Sequence, residues 1–180
     1  AARTPCANAS SGGLRPWWQA PCRLRQWPGQ AAAAESPPMP RLIHPALPRY
    51  DFHTDVQIYI SHVNQGGHLD NAQLLTLVSE ARLRFFNWLG YQEFNEQGYS
   101  FVVGDMVAQY KSEGFHGEVM RLEMAPADFN PYGFDLLFRM TETRSGRDEA
   151  IGKSGIVFLK QPERKVTPVP QALLERLRAL

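Results

Sequence analysis

Residues 61–89, SHVNQGGHLDNAQLLTLVSEARLRFFNWL, decide the fold. A short polar loop with the adjacent glycines Gly66 and Gly67 runs straight into the longest helical pattern in the sequence. Asp70 or Asn71 can cap that helix by accepting a hydrogen bond from a free N–H of its first turn, and Gly90 ends it near Leu89. Leu74, Leu75, Leu77, Val78, Ala81, Phe85, Phe86, Trp88 and Leu89 cover more than half its circumference, so other structure must wrap it. Gln73, Thr76, Glu80, Arg84 and Asn87, spaced by three and four, form one narrow polar stripe with Glu80 in its middle.

Upstream, in YDFHTDVQIYI over 50–60, Val56, Ile58 and Ile60 recur at period two, the pattern of a half-buried strand. Downstream, strand character marks 99–110, 116–125, 132–143 and 149–160. Met120, Leu122 and Met124 there oppose Arg121 and Glu123, and Phe134, Leu136, Phe138 and Met140 share a face. Turn residues separate these segments by connections short enough for antiparallel neighbours. QALLERLRAL then reads as a brief amphipathic helix with Leu173, Leu174 and Leu177 on one side. One long helix among antiparallel strands buries its apolar surface only if the sheet curls around it. The expected class is therefore α+β, with a central helix wrapped by a curved antiparallel sheet of about five strands.

The 180-residue chain has room for one domain with a full core. Its formal charge of +1 hides an asymmetry: residues 1–38 hold four arginines against Glu35, leaving 15 basic and 17 acidic side chains in 39–180. No basic cluster suited to tracking nucleic-acid phosphates is present. Residues 1–38 are aperiodic and broken by Pro, Gly, Ser and Ala, and Met39 stands where the composition becomes domain-like. They are expected to be a disordered or dispensable extension, with the domain over 39–165 and a linker and short helix over 166–180. Cys6 and Cys22 both lie in the extension, so the domain has no thiol for a disulfide or a nucleophile. No apolar run reaches the roughly 18 residues of a membrane span, and the expected location is the cytoplasm.

HVNQGGHLDNAQLLTLVSEARLRFFNWLGY resembles the loop-and-helix signature of hotdog-fold acyl-CoA thioesterases related to 4-hydroxybenzoyl-CoA thioesterase. Gly66-Gly67-His68 and Glu80-Ala81-Arg82 carry the likeness. YKSEGFHGEVMRLEM resembles the stretch that follows in that family, where a Tyr, a turn and a Gly-acid pair precede the third strand. The resemblance spans residues 48–165. It implies the hotdog fold, an acyl-CoA substrate hydrolysed to free acid and CoA, and a homodimer or homotetramer that pairs through its sheets and buries the site between subunits. One departure stands out. Related enzymes use a loop Asp as nucleophile or base, whereas this chain has no acid between Asp55 and Asp70; His62 or Asn64 takes that position.

Thioester hydrolysis needs an activated water or nucleophile and donors for the developing oxyanion. The backbone N–H groups of Gly66, Gly67, His68 and Leu69, near the positive end of the helix dipole, are expected donors. The Gly pair equally serves as a tight turn. Glu80 is the first choice of base, because burial on this helix would raise its pKa; with Arg84 at i, i+4 it equally forms a routine ion pair. His62 or His68 is assigned to proton transfer and Asn64 to orienting water or the thioester carbonyl. Lys111, Arg121, Arg144 and Lys153 are candidate partners for CoA phosphates, Lys111 and Arg121 foremost, though each also suits a solvated strand edge. The six-residue spacing of His62 and His68 gives no metal site, and no cofactor is expected. The alternatives are a non-catalytic relative that binds acyl thioesters and a hotdog dehydratase using a His and an acid across a dimer.

Overall fold

The computed structural model of the chain describes residues 46–180, so the extension over 1–38 and both cysteines lie outside the described residues. The chain forms β1 (Phe52–Gln57), α1 (Asn71–Trp88), α2 (Tyr91–Glu96), β2 (Tyr99–Tyr110), β3 (Val119–Asn130), β4 (Gly133–Glu142), β5 (Asp148–Lys160), β6 (Lys165–Val166) and α3 (Gln171–Arg178). The sheet is antiparallel in the order β1-β3-β4-β5-β2, with β6 a two-residue addition to β5. A hydrophobic stripe that covers most of α1 is thus met by a sheet curled around it, as the patterning requires.

Asp70 caps α1 by accepting the N–H groups of Ala72 at 2.8 Å and Gln73 at 3.4 Å. Gly90, at φ 75°, ends it in the left-handed conformation that glycine adopts without a Cβ clash. Leu74, Leu77, Val78, Ala81, Phe85 and Phe86 are buried along it. They meet the inner faces of Met120, Leu122 and Met124 on β3 and Phe134, Leu136, Phe138 and Met140 on β4, all within one core cluster. Full burial of each such side chain contributes about 1.5–3 kcal/mol, so this layer supplies the main driving force for closure. On the opposite face, Arg121 pairs with Asp55 and Lys153 with Asp135.

Three local expectations change. The first strand stops at Gln57 and the chain enters a single 3-10 turn at Ile60–His62, so Val56 and Ile58 are buried but Ile60 is 72% exposed. Trp88 is 51% exposed rather than wrapped, because it sits in the last turn of α1, beyond the region the sheet covers; its ring still lies 5.5 Å from that of Phe52. Immediately after Gly90 the chain forms α2, a six-residue helix that carries no periodic signal of its own. At the far end of the chain, α3 buries Leu173 and Leu177, and Arg176 donates to the Leu89 carbonyl at 2.9 Å. Among the described residues, no helix is long and apolar enough to cross a membrane.

Candidate functional site

The polar loop between β1 and α1 folds on itself before it meets the helix. His62 Nδ1 accepts the Tyr59 N–H at 3.1 Å, which closes the 3-10 turn. Val63 and Leu69 then face each other as the two sides of a narrow hairpin. Asn64 makes its tip: its Oδ1 accepts from Gly66 N–H at 2.8 Å and its carbonyl from Gly67 N–H at 3.0 Å, an Asx turn that takes Gly67 to φ 84°. Gly66 also leaves space beside the loop. A Cβ there would stand 2.8 Å from His68 Nε2, so the bare backbone makes room for the imidazole.

This geometry revises the expected set of oxyanion donors. Gly66 and Gly67 give their N–H groups to Asn64, and Leu69 gives its own to the Gly114 carbonyl at 2.7 Å. These three donors are already occupied by the hairpin and its docking. The His68 N–H has no acceptor among the described residues. Asn64 is likewise occupied, with Oδ1 in the turn and Nδ2 3.4 Å from His68 Nδ1.

The side chains singled out from sequence fall into two clefts. The larger, of about 510 Å³, is lined by His62 and Glu80 together with Asp55, Gln57, Tyr59, Thr76 and Arg84. Glu80 is not buried there: its side chain is 46% exposed and accepts from Arg84 Nε at 2.8 Å, while Arg84 Nη1 reaches Thr54 Oγ1 at 2.9 Å and the Asp55 carbonyl at 3.1 Å. The polar stripe of α1 points out along the β1 edge because the sheet covers the apolar arc. The premise that Glu80 is buried therefore fails, and its visible work is to tie α1 to β1 through Arg84. An exposed pair of this kind contributes only a few tenths of a kcal/mol.

The smaller cleft, of about 230 Å³, opens at the start of α1 and is lined by His68, Leu69, Asn71, Tyr110, Ser112, Glu113 and Glu149. Glu149 is the group that sequence reading misses. It is 2% exposed, and burial raises its carboxyl above the ordinary 4.5, opposed by the Ser112 hydroxyl, by Arg147 and by the Gly114 N–H. Its position follows from an irregularity in the sheet. Ala150 is paired with Met140 and Asp148 with Thr141, so Glu149 is the unpaired extra residue of a bulge, a feature that re-aims a side chain. Strict alternation gives no sign of this, and the only cue in the sequence is an acid next to the turn at 145–148.

Among the cations considered for CoA phosphates, Lys111 is exposed between Tyr110 and Ser112 of this cleft. Arg121 is instead held by both oxygens of Asp55, at 2.9 and 3.1 Å, and Lys153 by Asp135 at 2.6 Å, which turns both toward structural pairing. Arg144 lines a separate surface hollow with His116 and Glu142.

A profile of the thioesterase-like superfamily matches residues 58–177, from just after β1 into α3. The chain belongs to this superfamily. No curated protein matches it. Solved structures share the fold. A 1,4-dihydroxy-2-naphthoyl-CoA thioesterase from Synechocystis is 17% identical with a TM-score of 0.65, over 72% of this chain and 96% of that one. A thioesterase from Thermus thermophilus, complexed with coenzyme A and Zn, is 24% identical with a TM-score of 0.62, over 71% and 91%. A Staphylococcus aureus protein in complex with CoA is 16% identical with a TM-score of 0.67, over 76% and 87%. The architecture of this thioesterase-like chain is thus the hotdog fold, as the resemblance of its loop and helix implies.

Proposed function

We propose that this thioesterase-like protein hydrolyses an acyl-CoA thioester to free acid and CoA at the cleft beside His68. The observation that carries the reading is the concave site at the start of α1 that holds His68, whose backbone N–H has no acceptor among the described residues. An N–H aimed at a developing oxyanion acts where charge appears in the transition state and not in the ground state. The His68 ring can also pass a proton to the departing thiolate. Asn64 Nδ2, 3.4 Å from His68 Nδ1, limits the swing of that ring. Several proteins of the same fold are named as CoA thioesterases or were solved with CoA, which supports the substrate class.

Self-association belongs to the same proposal. Among the described residues β2 ends the strand order beside β5, and Val103 and Tyr110 on it are substantially exposed. A long apolar edge of this sort is a template for a second strand. A second copy of the chain added there would lie next to Tyr110 and deepen the cleft, with Lys111 at its mouth for CoA phosphate.

The test is to offer the purified protein a panel of aliphatic and aromatic acyl-CoAs while following free thiol and free acid. Release of both in equal amounts is expected for at least one member. Binding without turnover across the panel would replace hydrolysis with a thioester-binding role. A change in unsaturation with the thioester intact would identify a dehydratase.

A further inference from the structure

We propose that Glu149 supplies the carboxylate base that the β1–α1 loop lacks, an inference that rests on the hydrolase reading of the His68 cleft. The loop holds no acid between Asp55 and Asp70. The bulge in β5 brings one in from far along the chain, and Glu149 lines the same cleft as His68 while only 2% exposed. A carboxylate in so enclosed a position is costly unless the surrounding groups serve it.

Those groups suit a carboxyl that gains and loses a proton. Ser112 Oγ lies 2.8 Å from the Asp148 carbonyl and 3.0 Å from Glu149 Oε2. A hydroxyl has a single proton to give. With Glu149 ionised, Ser112 donates to the carboxylate. With Glu149 protonated, the acid donates to Ser112, which turns its own proton to Asp148. The contact is therefore satisfied in both states. Arg147 does not lock the carboxylate as a fixed ion pair: its Nη2 is 2.8 Å from Glu118 Oε2 and 4.0 Å from Glu149 Oε2. The other titratable groups around the carboxyl are Glu118 beside Arg147 and, across the cleft, His68, Tyr110 and Glu113.

The step balances without a further reagent. Ionised Glu149 takes one proton from water as the water oxygen bonds to the thioester carbon, and the carbonyl electron pair moves onto oxygen at the His68 N–H. The carbon–sulfur bond then breaks with its electron pair leaving on sulfur. Sulfur takes a proton from the His68 ring, and the proton held on Glu149 replaces it. Water and thioester become acid and thiol.

Glu149→Gln keeps the shape and the contacts with Ser112 and the Gly114 N–H. With the best acyl-CoA it is expected to lower kcat by about 10²-fold or more, to change KM by less than about threefold, and to abolish the acidic limb of the kcat/KM profile. Ser112→Ala removes a donor that favours the carboxylate, so the acidic limb should move to higher pH while the protein stays folded. Wild-type kcat in Glu149→Gln, or an acidic limb unmoved by Ser112→Ala, would overturn the assignment; the Ser112→Ala profile decides the matter even if Glu149→Gln fails to fold. These outcomes leave the hydrolase reading intact. Absence of thiol release by the wild-type protein removes that reading and the inference together.

Discussion

Glu142 shows how tightly one carboxylate can be held by a turn. It closes the β4–β5 connection by accepting from Ser145 N–H at 2.7 Å and Arg144 N–H at 3.0 Å. The Ser145 side chain and these N–H groups lower its carboxyl from 4.5 to about 2. A folded-state pKa below the unfolded value means that stabilisation is full above the unfolded value and is lost as pH falls through the folded one. Glu142→Gln should therefore lower Tm at neutral pH, with the gap to wild type closing between pH 4.5 and about 2; a gap independent of pH would contradict this. Glu149 is held in the opposite sense, raised by burial, so its charge costs stability as pH rises through its folded pKa. Individual residues are the least legible part of the sequence. Spacing alone brings out Glu80, but the choice between buried base and solvent-facing partner of Arg84 depends on which arc of α1 the sheet leaves open. His68 can be singled out from its place beside a glycine pair, whereas Glu149 cannot, because only a strand bulge turns it inward.

At the scale of elements, α1 is the best-specified part of the chain. Its apolar arc, its Asp70 cap and its Gly90 stop are all readable, because each depends on local chemistry within a turn of the residue concerned. Asp70→Ala leaves two N–H groups of the first turn without their acceptor and should cost about 1 kcal/mol, measured by denaturant unfolding; no loss would mean that the cap is replaced by water at no penalty. The four later strands are also placed by their strand character, β3 running five residues beyond its expected end at 125 to Asn130. The elements that escape it, the 3-10 turn at Ile60–His62 and the six-residue α2, are too short to show a period. The hairpin at 63–69 escapes for a related reason. A glycine pair before a helix is compatible with an open anion nest and with a closed turn, and Asn64 decides for the turn by using two of the N–H groups itself.

For the molecule as a whole, the sheet order and the family match agree on a hotdog domain whose sheet ends in β1 on one side and β2 on the other. If the β2 edge pairs with a second copy, sedimentation should give two or four times the 20.4 kDa chain, and Val103→Lys, which places a charge at the edge, should shift the population toward one. A monomer at all accessible concentrations would remove the shared site. The α+β order is legible because one long helix among strands admits few ways to bury its surface; the pairing of copies is not, since an edge strand reads the same from sequence whether it is free or covered. Chemistry at the His68 cleft, in a chain whose loop has no acid, is what these features lead to. Thiol release by wild type and His68→Ala, followed side by side on the best acyl-CoA of the panel, tests it most directly. Clear turnover by wild type is expected, with a loss of about 10²-fold or more in His68→Ala and its melting temperature retained; equal rates in the two proteins would rule out chemistry at this cleft.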